Sequence, residues 1–194
     1  MYLSTVGGTL ERRTDGGVAS GSLRSVNVED AIRTRRTVKA FDPTPVPSSI
    51  LDELFELARW APNHHVTNPW RFRVLGSDSL RALKAAERPD AAAKLDRAPT
   101  LVAASAALTG EPVQDEEDIA ATCCAVYNVL LGAHARGLAA YWRTPGVLRT
   151  PAGRAAAGIG YGEHVLGLLY LGRPRQSQRP PDRAEPATFV TYLD

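Results

Sequence analysis

A chain of 194 residues and 20.9 kDa fits one domain of ordinary size with extra material at its ends. An apolar fraction of 44% is enough to build a packed core and argues against wholesale disorder. Lys and Arg number 23 against 21 Asp and Glu, a formal charge of +2, which argues against a nucleic-acid-binding domain and leaves room for local basic clusters that grip a small anion.

Residues 1–25 are rich in Gly, Ser and Thr and have no period, so a flexible extension is expected before a folded domain over residues 26–194. From Val28 the pattern Val28, Ala31, Ile32 and Arg35 predicts an amphipathic helix that ends before Pro43. Pro45-Val46-Pro47 marks a turn, and Ser48 or Ser49 is a good N-cap for a helix with the stripe Ile50, Leu51, Leu54, Phe55, Leu57 and Ala58, stopped by Pro62. A polar loop, Asn63 to Asn68, leads through Pro69 into Trp70 to Val74, whose alternation is that of a half-exposed strand. Ser79 is placed to cap a short helix, and Thr100 to Leu108 reads as a buried strand.

Asp115 to Gly137 is the longest helical candidate, with Asp115, Glu116, Glu117 and Asp118 placed to favour its N-terminus. Ile119 to Ala133 is apolar nearly all round, which suits a central helix or one facing a partner subunit. Cys123 and Cys124 lie within it. Helix neighbours point to different faces and no CxxC or zinc spacing is present, so they read as small buried apolar residues, reduced in a cytoplasmic protein. Leu138 to Trp142 is a short strand, Pro151 to Ala157 a short helix and Val165 to Leu171 an apolar strand. A Pro- and Arg-rich tail from Gly172 finishes in strand-like Thr188 to Tyr192. No run of about 18 apolar residues is free of charges and breaks, and the N-terminus has no apolar signal segment, so a soluble, intracellular protein is expected. Helices outnumber strands and the strands mostly arrive by crossovers, so the class is α+β or a layered α/β sandwich.

Three segments could carry chemistry. Arg33-Thr34-Arg35-Arg36-Thr37-Val38-Lys39 offers four cations and two hydroxyls, the donors a phosphate dianion needs, although alone it reads more simply as a solvated helix face. Trp60 to Trp70 crowds aromatic, imidazole and amide groups between prolines, which suits a planar heteroaromatic ring. Core anchoring is the plainer role for Trp70, and adjacent His64 and His65 are poorly spaced for a metal. Tyr141-Trp142-Arg143-Thr144 ends a strand and is a weak ligand edge by itself. Gly158-Ile159-Gly160-Tyr161-Gly162 does not satisfy the dinucleotide-binding GxGxxG, and there is no Walker A, GxSxG or HExxH sequence. A flavin or nicotinamide would therefore be handled outside the dinucleotide-binding fold.

Together, Arg35-Arg36-Thr37-Val38-Lys39-Ala40-Phe41, Trp60-Ala61-Pro62-Asn63-His64 with Asn68-Pro69-Trp70-Arg71-Phe72, and Gly167-Leu168-Leu169-Tyr170-Leu171-Gly172-Arg173-Pro174 resemble the ordered motifs of the nitroreductase family. Trp142-Arg143-Thr144 and Phe189-Val190-Thr191-Tyr192 are most like its compact YdjA-type branch. The resemblance runs from about Val28 to the C-terminus. It implies a layered α/β sandwich, a mixed and mostly antiparallel sheet flanked by helices, in a homodimer with two FMN sites at the subunit interface. By resemblance, Arg35, Arg36, Thr37 and Lys39 line the phosphate and pyrimidine side of FMN, and Trp142, Arg143 and Thr144 form a second wall. Trp60 and His64 reach into the neighbour's site, and Arg173 or Arg175 is a looser candidate for the phosphate. Thr37 replaces the common Ser and keeps its hydroxyl. Trp60 stands where the branch commonly has Arg, so it would stack or pack rather than pair ionically. The activity implied is ping-pong, two-electron transfer from NADH or NADPH through FMN to a nitroaromatic, quinone or related acceptor, with no dedicated acid or base residue. The alternatives are a flavin-storing or flavin-sensing protein, and a specialised FMN-dependent biosynthetic dehydrogenase.

Overall fold

The computed structural model describes residues 27–193, so the expected extension over residues 1–25 lies outside the described residues. The first helix, α1 (Val28–Thr34), is capped by the Asn27 side chain, which accepts from the Asp30 N–H at 2.9 Å. It stops well short of Pro43. Arg35 already has extended backbone, and the Val38 N–H donates to the Ala140 carbonyl at 3.3 Å, so the chain leaves the helix to line a sheet edge.

There follow α2 (Ser48–Ala58), β1 (Trp70–Val74), α3 (Ser77–Ala86), α4 (Pro89–Ala92) and β2 (Thr100–Ala107). The second half holds α5 (Pro112–Ala135), β3 (Ala139–Arg143), α6 (Pro151–Ala156) and β4 (Glu163–Gly172). Several sequence expectations need correction. Neither Ser48, Ser49 nor Ser79 caps its helix: Pro47 and Gly76 hold the N-cap positions without a side-chain bond. The tail is no strand at Thr188 to Tyr192, where a 3-10 turn, Pro186–Thr188, is followed by exposed coil. Cys124 is exposed and Cys123 only partly buried, so the pair is not a pair of core residues.

The strands form one sheet in the order β1-β2-β4-β3, every pair antiparallel. Among the described residues, one parallel bridge, from Thr37 to Ala140 of β3, gives the sheet its mixed character at that edge. Period-two alternation sends successive residues of β2 and β4 to opposite faces. Val102, Ala104, Leu169 and Leu171 meet α2 and α5, while Leu101, Ala103, Leu168 and Tyr170 meet Leu83 of α3 and Leu148. The result is a three-layer α/β/α sandwich with a core on each side of the sheet. Each fully buried Leu contributes about 1.5–3 kcal/mol by burial, and Leu54, Leu83, Leu148, Leu168 and Leu169 are all in that state.

Helix α5 is the spine of one layer. A Cβ at Gly132 would stand 2.5 Å from Leu57 Cδ1 and 3.1 Å from Leu54 Cδ2, so a larger residue there would push the ends of these α2 side chains aside. Against expectation, α5 is long and apolar enough to cross a membrane by length and composition; half of that stretch is buried inside the fold. Its opposite flank carries exposed Val113, Ala120, Cys124 and Tyr127, three or four residues or their multiples apart along one face.

One polar network ties the sheet together. Glu163 accepts from Arg73 at 2.7 and 3.0 Å, from the Gly160 N–H at 3.1 Å and from the Ser105 hydroxyl. Burial pushes the Glu163 carboxyl up, but the Ser105, Arg73 and Gly160 hydrogen bonds and the Arg73 charge outweigh it and hold the group below its ordinary value. A carboxyl depressed in the folded state stabilises fully above the unfolded pKa and loses that contribution as pH falls through the folded one. Glu163→Gln is therefore expected to lower stability by about 1–3 kcal/mol at neutral pH. Denaturant titrations should show this gap shrinking below about pH 4.

Candidate functional site

The expected site residues fall into two groups at opposite ends of α5. At its C-terminal end, Thr34 Oγ1 lies 2.7 Å from His134 Nε2 and ties α1 to α5. Beside them a cleft of about 300 Å³ is lined by Arg35, Arg36, His134 and the tail residues Gln176 to Gln178. Two neighbouring clefts, of about 220 and 380 Å³, share Arg35, Arg36, Pro181 and Arg183; Arg179 lines the smaller. Among the described residues, no carboxylate lines any of the three. The Arg35 Nε is buried and has no hydrogen-bond partner among the described residues. Burial, then the charges of Arg35 and Arg36, hold the His134 pKa below its ordinary value, which favours the neutral ring.

The cations of this segment have different duties. Arg36 donates to the carbonyls of Arg33 at 2.6 Å and Arg35 at 2.8 Å, closing the end of α1 with its own guanidinium. Thr37 stands exposed beside the β3 edge. Lys39 Nζ lies 5.5 Å from the centre of the Tyr141 ring, and Tyr141 packs at 5.4 Å against fully buried Tyr170. The Tyr170 hydroxyl in turn meets Arg143 at 3.3 Å. Burial pushes the Tyr170 phenol up, with the Arg143 hydrogen bond opposing it, so the phenol stays protonated. Lys39 and Arg143 thus converge on one tyrosine pair.

Trp142 does not join them. The pleat turns it toward α5, where its indole N–H donates to the Leu166 carbonyl at 2.9 Å. Trp142 and Arg143 therefore occupy opposite faces of the sheet rather than one wall, and Thr144 is exposed beyond them. Close approach here needs Gly167. At φ 134° it sits against the Arg143 carbonyl, where a Cβ has no room. Arg173 and Arg175 do not line the clefts around Arg35 either; their backbones pair with Asp42 and Ala40. His134, Gln178, Arg179 and Arg183 take that place, which sequence reasoning missed. Only the arginine density of the tail could have hinted at it.

The second group lies at the N-terminal end of α5. Trp60 is 74% exposed just past α2, with Arg59 5.9 Å from its ring and its N–H donating to Glu56 at 3.3 Å. His64 Nδ1 is 2.8 Å from Glu117 Oε2, and its ring stacks on His65 at 3.8 Å. His65, Val66 and Asn68 all have left-handed backbone, with φ of 57°, 53° and 50°. Each such non-glycine residue costs about 1–3 kcal/mol, and Val66, being β-branched, is the least suited. The acidic start of α5 holds the loop: Asp118, 1% exposed, accepts from Thr67 at 2.5 Å and Gln114 at 3.2 Å. Glu117 and His134 stand about 17 residues apart, roughly 25 Å along the helix axis. Within one chain, the arginine clefts and the Trp60–His64 loop therefore do not meet.

A sequence profile described as the Nitroreductase family matches residues 32–173. YfhC of Bacillus subtilis (strain 168), provisionally named an NAD(P)H nitroreductase, is 26% identical over 166 residues, 77% of this chain and 86% of YfhC. YdjA of Escherichia coli (strain K12), provisionally named likewise, is 26% identical over 181 residues, 86% of this chain and 98% of YdjA. Among solved structures, a nitroreductase-like family protein from Bacillus cereus superposes with a TM-score of 0.79 at 24% identity, covering 87% of this chain and 97% of that one. An FMN- and NADPH-dependent nitroreductase, NfnB, from sphigopyxis sp. strain HMH gives 0.73 at 17% identity, covering 87% and 100%.

Proposed function

This chain belongs to the nitroreductase family of oxidoreductases, and on that premise we propose that it takes two electrons at a time from NADH or NADPH, through FMN, to nitroaromatic, quinone or related acceptors. The observation that carries the proposal is the arginine clefts at the end of α1, which among the described residues hold no carboxylate and leave the buried Arg35 Nε without a partner. A buried guanidinium nitrogen without a partner is a standing energetic deficit that a bound anion relieves. The residues present fit a phosphate monoester. Arg35 would hold the phosphate, with Arg179 and Arg183 of the tail beside it, and the Thr37 hydroxyl would add a donor.

When bound, FMN supplies the hydride-carrying ring that accepts electrons from the nicotinamide and passes them to the acceptor in turn. The chain's own contribution is electrostatic. Lys39, over the Tyr141 ring, and Arg143, bonded to the Tyr170 hydroxyl, would supply positive charge to the pyrimidine edge, where negative charge gathers on reduction. The neutral Tyr170 phenol keeps Arg143 in place without cancelling its charge.

The pocket is completed by a second copy of the chain. Exposed Val113, Ala120, Cys124 and Tyr127 run along one face of α5, and an apolar helix face is buried economically against its own symmetry mate. Antiparallel pairing of two α5 helices brings the N-terminal end of one to the C-terminal end of the other. It sets the partner's Trp60 and His64 beside Arg35 to Lys39, spanning the separation that one chain cannot.

The test is to denature the purified protein and identify the released flavin, then to reduce the holoprotein anaerobically with each nicotinamide and reoxidise it with menadione or nitrofurazone. FMN release with parallel-line initial-rate plots is expected. Release of FAD, or no flavin uptake at micromolar FMN, overturns the proposal.

A further inference from the structure

The loop over residues 63–68 is held in a shape that its own residues disfavour, and its inward benefit is confined to the partners that Thr67 and Asn63 give the buried Asp118 carboxylate. Val66 carries a left-handed backbone, yet its side chain is 73% exposed and belongs to neither core. What holds the loop is a hydrogen-bonded clamp. Asn63 Oδ1 accepts from the Asn68 N–H at 2.7 Å, and Asn63 Nδ2 donates to Thr67 Oγ1 at 2.9 Å. Thr67 Oγ1 donates to the buried Asp118 carboxylate, which also takes Gln114 Nε2. The Asp118 backbone carbonyl is held by the Thr122 hydroxyl, one turn further along α5. The clamp therefore transmits the rigidity of the core helix to the loop. The loop's outward product is a pair of stacked imidazoles, His64 and His65, with His64 anchored on Glu117. A flat, hydrogen-bonding surface held at this expense has its use outside the chain.

We propose that Asp118, acting through Thr67 and Asn63, is a positioning residue that fixes the His64–His65 pair as a wall of the acceptor pocket in the neighbouring chain. This rests on the two-chain site proposed above. Planar acceptors bearing oxygen atoms, such as nitroaromatics and quinones, match the wall: ring faces offer stacking, and the His65 ring N–H, which Glu117 does not occupy, offers a hydrogen bond to oxygen. Asp118 touches neither flavin nor acceptor. Its loss therefore loosens acceptor binding and leaves the phosphate grip of Arg35 unaltered.

The test compares Asp118→Asn with Thr67→Val and Thr67→Ser. Thr67 is exposed and Gln114 still donates to Asp118 in its variants, so they are expected to fold even where Asp118→Asn fails to. Two readouts are needed. The first is the proton NMR spectrum of the His64 and His65 ring protons in the flavin-free protein, where stacking shifts both sets. The second is steady-state KM for nitrofurazone and menadione, with FMN affinity measured alongside by fluorescence quenching. Thr67→Val is expected to abolish the stacking shifts and raise both acceptor KM values about tenfold, about 1.4 kcal/mol, with FMN affinity within about twofold of the wild type. Thr67→Ser retains the hydroxyl and both properties. Unchanged ring shifts in Thr67→Val show that the clamp does not set the imidazoles; lost shifts with unchanged KM show that the acceptor does not use them. Either result overturns the inference. A wild-type chain that takes up no FMN defeats the functional proposal instead, while the NMR arm still reports on the clamp.

Discussion

Arg35→Ala is expected to weaken FMN binding about tenfold to hundredfold. Losing a charge-assisted hydrogen bond to phosphate is worth about 1.5–3 kcal/mol, and Arg35 alone in its segment brings a buried guanidinium nitrogen with no partner among the described residues. Arg36→Ala provides the contrast. The Arg36 guanidinium already donates to the carbonyls of Arg33 and Arg35, so its removal frays the end of α1 and affects the flavin only secondarily. Isothermal titration of both apoproteins with FMN separates the two roles. An Arg36 loss as large as the Arg35 loss would mean that the carbonyl contacts dissolve when the ligand arrives. An Arg35 variant of unchanged affinity would place the phosphate elsewhere.

Ala120→Glu is expected to yield a folded monomer that holds no flavin. Ala120 is exposed within the chain, and glutamate is a good helix former, so the single-chain fold loses little, within about 0.5 kcal/mol. In a dimer built on this face the new carboxylate is buried twice, once from each copy, which costs several kcal/mol per charge. Sedimentation velocity and far-UV circular dichroism decide it. A monomer with native helix content and no bound FMN agrees with a shared site; a flavin-loaded dimer removes α5 from the interface.

The fold was legible where one strong period ran unopposed. Trp70 to Val74 shows its alternation and is the strand β1 as expected, and the α2 stripe and the long apolar α5 stand out in the same way. Ser48 and Ser79 look like caps by residue type, but Pro47 and Gly76 take the N-cap positions and no side chain bonds there. The short α4 has too few residues to show a period. Thr188 to Tyr192 has strand-forming composition but no neighbouring strand among the described residues. In the site, the cation-rich run Arg35 to Lys39 announces an anion by residue type alone. Which arginine is free to meet it depends on who takes the others: Arg36 is consumed by local carbonyls, a fact of geometry. The partnership of His134 with Thr34, at a separation of one hundred residues, left no local trace. Asp118 was read as a charge favouring a helix end, when its carboxylate is buried and holds a loop.

The central claim is that each flavin site draws residues from two chains, and mixed dimers test it most directly. One variant carries Arg35→Ala with Lys39→Ala, the other Trp60→Ala with His64→Ala, and each alone is expected to be nearly inactive, the first for want of flavin and the second for want of a complete acceptor pocket. In a mixed dimer with shared sites, both lesions fall in one pocket and the other pocket is intact. Co-refolding the two variants is therefore expected to restore FMN binding and nicotinamide oxidation, with one working site per mixed dimer. If mixed dimers form, as verified by differential tags, and neither flavin nor turnover returns, each site is built within a single chain and the account is wrong.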